Sequence, residues 1–203
     1  MNRNQSIRAM TSTAVLIAVL FMMKLSGLGS VPVGPLYMSF LTLPIALGAM
    51  LIGPGSGAVL GAVFGGISFY DALTGRSVMT GIFFQTSPIH TFLLCVGTRM
   101  LMGYLAGLLA RRLLRRGHQP WRYLLGALLP PVLNTLLFMG YIVLFFYGTP
   151  YVQGLVEKLG AANPLAFVVL LVGMQGVIEA VSVCLVGAAL TKAVSKVTDP
   201  FLK

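Results

Sequence analysis

The chain has 203 residues, of which 57% are hydrophobic and only 9% charged, with a mean hydropathy of +0.92; an ordinary soluble domain has roughly 25% charged residues. No water-soluble fold can hide that much apolar surface, and about five to seven crossings of some 20 residues each would use nearly the whole length. The net charge of +10 does not mark a nucleic-acid binder, because the basic residues fall between apolar runs and not on a solvated face with interleaved aromatics.

In chain order, the first span is expected over about 7–25, preceded by Arg3 and Arg8, and is read as a retained helix: no small-residue cleavage context follows it. A Gly/Pro-rich loop at Val31 to Pro35 leads to two short segments, about 36–52 and 57–70. They are separated by Gly53-Pro54-Gly55-Ser56, a turn through which neither helix easily continues. Gly57, Gly61 and Gly65 make two successive GxxxG steps, which predicts close backbone packing against another helix of the same chain in preference to a dimer face. Asp71 to Gln85 is polar but interrupted by Val78, Met79, Phe83 and Phe84, and reads as a loop folded back on the protein.

The fourth span is expected over about 88–109 and is followed by the densest basic run, Arg111, Arg112, Arg115, Arg116 and Arg122. A fifth span over about 123–146 and a sixth over about 164–190 complete the set, with Lys192, Lys196 and Lys203 in the tail. Short loops near span ends are enriched in Lys and Arg on the cytoplasmic side. Alternating sides place two, five and three such residues inside, against only Lys24, Arg76 and Lys158 outside. The expectation is therefore an all-α membrane protein: one domain of six transmembrane helices with both termini cytoplasmic, multi-pass in the cell membrane.

Few strongly polar groups fall inside these spans: Arg99, Asn134, Gln175 and Glu179, with His90 near the outer mouth of the fourth. A charge at the bilayer centre costs about 2.5–3.5 kcal/mol on insertion scales, so such residues face inward and need partners. At about 1.5 Å per residue, Arg99 and Gln175 lie roughly 16 Å below the outer boundary and Asn134 roughly 20 Å, which lets them share a depth. Two readings stay open: an Arg99–Glu179 ion pair with Asn134 and Gln175 as interhelical hydrogen bonds, or a polar pocket opening outward between spans four to six, capped by the loops at 31–37 and 71–85. In the second, a ligand carboxylate meets Arg99, or Arg76 from the loop.

No HExxH, GxSxG or paired-carboxylate arrangement is present, the acidic residues number four and the histidines two, so the chain is not expected to be an enzyme. Without a GxxxxGK[ST] loop it cannot hydrolyse ATP through a P-loop, and transport must draw on a partner or a gradient. Cys95 and Cys184 sit in apolar runs without metal-ligand spacing, and neither metal nor cofactor is expected. Two other functions remain: a gradient-driven carrier relaying protons or ions through Glu179, and a membrane enzyme acting on a lipid or peptide through Glu179 and His90.

The stretches LPIALGAMLIGPGSGAVLGAVFGGISF from Leu43, TRMLMGYLAGLL from Thr98, LNTLLFMGYIVLF from Leu133 and GMQGVIEAVSVCLVGAAL from Gly173 resemble the substrate-binding S components of energy-coupling factor transporters, the vitamin-uptake machines of bacteria and archaea. The resemblance spans nearly the whole chain. It implies a ligand site near the outer side between spans four, five and six and the first and third loops. It further implies a complex with a transmembrane coupling subunit and two ATPase subunits, and a tilt of this subunit that carries the ligand inward. The AxxxA step of Ala14 and Ala18 matches the docking face that such first helices often carry. Within the family the chain looks most like the pantothenate-type members. For that vitamin Arg99 or His90 would take the carboxylate, and Asn134, Gln175 and Tyr141 the amide and hydroxyls.

Overall fold

The computed structural model describes residues 3–27, 29, 31–33, 36–115 and 120–195; the side chains of 31–38, 115, 120, 174, 175, 178, 179, 182, 188 and 190–195 lie outside the description. The chain runs through α1 (Arg3–Leu25), a hairpin of β1 (Val31–Val33) and β2 (Leu36–Met38), then α2 (Thr42–Leu51), α3 (Pro54–Leu73) and α4 (Val78–Thr86). It continues through α5 (Pro88–Phe92), a π-helical turn over Leu93–Gly97, α6 (Thr98–Arg115), α7 (Pro120–Phe145), α8 (Pro150–Leu159) and α9 (Pro164–Ser195). The hairpin is antiparallel, with Val31 opposite Met38 and Val33 opposite Leu36.

Four helical stretches among the described residues are long and apolar enough to cross a membrane: Arg3–Leu25, Pro54–Leu73, Pro88–Leu114 and Trp121–Phe145. A fifth candidate is the pair Pro150–Leu159 and Pro164–Gly173, bent by 75°. The segment expected as a second span over 36–52 divides into β2 and the ten-residue α2. At about 1.5 Å per residue that helix rises about 15 Å, half of a hydrocarbon core of about 30 Å. The third, expected over 57–70, runs instead for 20 residues from Pro54. Proline is tolerated in a first helical turn, where its missing N–H has no partner to lose. Gly53 ahead of it takes φ 128°, a region closed to side chains with a Cβ.

The loop expected over 71–85 to fold back on the protein does so with a helix, α4. In α4, Met79, Thr80 and Phe83 are buried, and Phe83 stacks on Phe146 with ring centroids 4.2 Å apart. Helix α8 ends at Gly160, in the left-handed region at φ 63°, where the Gly160 and Ala161 N–H groups donate to Glu157 and Val156 carbonyls. Asn163 then caps α9, its Oδ1 accepting from the Ala166 N–H at 2.7 Å. Near Gly173 the backbone of α9 leaves helical geometry.

The glycine steps of α3 pack against α6 and the π-turn. A Cβ on Gly57 would lie 2.3 Å from the Gly103 carbonyl oxygen, one on Gly61 2.1 Å from that of Arg99, and one on Gly65 2.6 Å from that of Cys95. From the other side, a Cβ on Gly103 would meet Gly57 at 2.0 Å. The intramolecular reading of the GxxxG steps is therefore the one the fold realises: with no hydrophobic drive between helices in lipid, small residues allow the close approach that holds them. Apolar clusters fill the space on either side. Leu20, Leu41, Ile45, Leu60, Phe64 and Met102 join α1, α2, α3 and α6. A larger cluster around Phe83, Phe138, Phe146 and Phe167 joins α4, α7 and α9. Helix α1 sits at the margin, tied to α3 by a Thr13–Ser56 hydroxyl contact of 2.9 Å and by the Lys24–Asp71 ion pair.

Candidate functional site

Arg99 is placed by three local features. The π-turn inserts an extra residue just before it, a device frequent at functional positions. Gly61 lets the α3 backbone press on the Arg99 carbonyl, fixing the height of that turn. Its guanidinium lies between two rings, 4.5 Å from the Phe64 centroid and 4.7 Å from that of Phe138, and donates from Nη1 to the Cys95 carbonyl at 3.2 Å. The side chain is only 7% exposed. Two aromatic faces attract the cation and partly replace the water it has lost.

Beside it lies a cavity of about 350 Å³, within the range typical of small-molecule sites. Helix α1 contributes Lys24 at its end; α3 contributes Phe64, Ile67, Ser68 and Asp71. The loop after α3 and helix α4 bring Arg76, Ser77, Met79 and Thr80. Helix α7 gives Asn134, Thr135, Phe138 and Met139, and α9 gives Val172 and Gly176. The loop after α3 reaches the cavity because Gly75 turns at φ 71° and the Ser77 N–H donates back to the Asp71 carbonyl.

Charge in this wall is unequal: Arg99, Arg76 and Lys24 face one carboxylate, Asp71. Lys24 engages Asp71 Oδ2 in an ion pair, and Arg76 lies 6.0 Å from the Tyr70 ring centroid. Besides the arginine, three residues that line the cavity carry a buried polar atom with no hydrogen-bond partner among the described residues: Asp71 (Oδ1), Thr80 (Oγ1) and Asn134 (Oδ1). Each such atom costs the protein about 1–3 kcal/mol of unrecovered desolvation. Buried polar groups in a folded protein otherwise have partners almost without exception. All three residues line the same void.

The expected site residues separate in space. Arg99 and Asn134 meet at this cavity. His90 and Tyr141 do not line it; they bond to each other, His90 Nδ1 to Tyr141 Oη at 2.9 Å, with His90 stacked on Phe145 at 4.8 Å. Tyr141 shares the face of Asn134 but sits seven residues on, about 10 Å further along α7, beyond Phe138. The side chains of Gln175 and Glu179 lie outside the described residues. Ala14 and Ala18 are both exposed on α1.

The loop expected over 71–85 to cap the pocket does supply Asp71, Arg76 and Thr80 to its wall, but sequence reasoning singled out neither Asp71 nor Thr80, and it did not place Lys24 or Ser68 there. Asp71 had a signal, being one of only four acidic residues at the end of a span. Thr80 had none, since a threonine in a nine-residue apolar helix is ordinary. The walls also differ from the expectation: α1 and α3 take part alongside spans four to six.

These features define a polytopic membrane protein that encloses a solute-sized, positively biased cavity near one end of its helices. The chain belongs to the family of ECF transporter substrate-specific components, whose family model matches residues 8–190. No curated protein gives a significant match to it. It is thus a multi-pass membrane transport subunit of the energy-coupling factor class, which takes a small-molecule substrate and associates with a membrane and ATPase module.

Proposed function

We propose that this subunit captures a small vitamin acid, pantothenate in the first instance, in the cavity beside Arg99, and passes it inward across the cell membrane with an ATP-driven module of one transmembrane coupling subunit and two ATPases. The observation that carries this reading is the conjunction of a buried arginine with unpartnered acceptors around one void. A carboxylate is the natural counter-charge for Arg99 and accepts two hydrogen bonds from a guanidinium at once. Asn134 Oδ1 would receive a ligand amide or hydroxyl hydrogen, and Phe64, Ile67, Met79 and Met139 would cover its methyl groups.

The topology that goes with this function has six crossings: α1, α2 as a short crossing, α3, α5 with α6, α7 and α9. Both termini are then cytoplasmic, which puts the cavity outside and the basic run at Arg111 and Arg112 inside. The exposed Ala14 and Ala18 face of α1 is the docking surface for the coupling subunit, where small side chains let another helix approach closely.

Calorimetric titration of the purified chain in detergent with pantothenate and the other B vitamins tests the reading, together with native mass spectrometry for a co-purified ligand. Saturable binding of pantothenate is expected. A folded protein that takes none of the vitamins would rule the proposal out.

A further inference from the structure

We propose that Asp71 and Thr80, at the junction of α3 and α4, form a hydroxyl-reading subsite that restricts the cavity to small organic anions carrying hydroxyl groups away from their anionic end. This rests on the cavity being the ligand site. An ionised carboxylate is an acceptor only, whereas a hydroxyl both donates and accepts. Lys24 engages Asp71 Oδ2 and so fixes the carboxylate's orientation, leaving Oδ1 of this cavity-lining residue buried and without a hydrogen-bond partner among the described residues. Thr80, 4% exposed, likewise lines the cavity and carries a buried hydroxyl with no partner among the described residues. Its neighbours Met79 and Phe83 are buried and anchor the short helix.

A ligand hydroxyl satisfies both groups, donating its hydrogen to Asp71 and offering lone pairs to the Thr80 O–H. An ammonium fits less well. Lys24 already neutralises Asp71, and Arg99 and Arg76 in the same wall repel a second cation. A ligand with neither group leaves two polar atoms buried and unsatisfied, and a site built around such atoms rejects the analogue that lacks the matching group. The discrimination expected from one or two unmade bonds of this kind is about 10- to 100-fold in Kd.

The test titrates the full-length protein with pantothenate and with the acid of the same skeleton in which both hydroxyls are replaced by hydrogen. The wild type should favour the hydroxylated acid by about 10-fold or more. In Asp71→Ala/Lys24→Ala, which removes both charges so that neither is stranded, that ratio should fall below about 3-fold, and Thr80→Val should lower it in part. In Lys24→Gln, which keeps a donor for Oδ2, the ratio should persist. Equal affinity of the two acids in the wild type would mean that water satisfies Asp71, and would overturn the subsite. So would a ratio preserved in the double variant, or one lost in Lys24→Gln as well, since the effect would then belong to the bracing between α1 and α3. Failure of the ligand reading looks different: neither acid binds to the folded wild type, and both proposals fall together.

Discussion

A single arginine organises this site, and its surroundings explain why it tolerates burial. The rings of Phe64 and Phe138 lie on the guanidinium and the Cys95 carbonyl accepts from it, so a charge that is costly in the membrane is partly solvated by protein. A hydrogen bond to a charged group is worth about 1.5–3 kcal/mol. Arg99→Gln should therefore weaken binding of the acid by about 10- to 150-fold without unfolding the protein, as calorimetry with a thermal-unfolding control will show. Asn134 makes the opposite bargain. Its Oδ1 is buried with no partner among the described residues, and an apolar side chain of similar size removes that penalty. Asn134→Leu is expected to raise the unfolding temperature of the empty protein and to lower ligand affinity; a variant that binds normally would detach Asn134 from the site. Arg99 and Asn134 were visible in the sequence because strongly polar residues within apolar runs are rare. Asp71 and Thr80 did not stand out within the capping loop expected over 71–85, because polar residues in a segment that connects spans need no special reason.

At the level of elements, the contact between α3 and α6 sets the geometry of the cavity. Gly61 meets the backbone of Arg99 itself, so a methyl there pushes on a carbonyl that has nowhere to retreat. Gly61→Ala should destabilise the protein by about 1–3 kcal/mol, the usual cost of overpacking, and should weaken binding as Arg99 moves. Gly66 provides the control: nothing lies within 4 Å of its added Cβ, and Gly66→Ala should leave binding unchanged and, in the middle of a helix, raise stability by up to about 1 kcal/mol. Thermal unfolding and titration of the two variants side by side decide the matter. The GxxxG spacing announced close packing, but it could not name the opposing helix. The π-turn over Leu93–Gly97 left no mark in the sequence, since its one-residue shift arises from how the helix fits its neighbours and not from any residue in it.

Across the whole molecule, charge separates along the direction of the helices. The run with Arg111, Arg112 and Arg122 lies at the opposite end from the cavity-lining Lys24, Asp71 and Arg76. If the basic end is cytoplasmic, a fluorescent protein fused to either terminus should fold and glow, and alkaline phosphatase fused there should stay inactive. An active phosphatase at one end only would require an odd number of crossings. Helix α1, with 6% of its apolar window buried, is held to the bundle mainly on one side, leaving its outer face for a partner or for lipid. Ala14→Leu/Ala18→Leu should abolish co-purification with the coupling module and leave ligand binding by the isolated chain unchanged.

Composition and hydropathy by themselves determined that this is a polytopic membrane protein. The reason is thermodynamic: an apolar run of sufficient length has no other stable place, and charge in the loops biases its orientation. The stretches shared with the family carried the transport role, and the rarity of polar residues within spans pointed to Arg99 and Asn134. Only the tertiary structure decided which residues share a cavity. It set His90 and Tyr141 together outside the cavity wall, reduced the second expected span to a strand and a short helix, and brought Asp71, Thr80 and Lys24 into that wall. Those outcomes depend on where helices start, bend and cross, which is fixed by packing between segments far apart in the chain, and no local pattern encodes that.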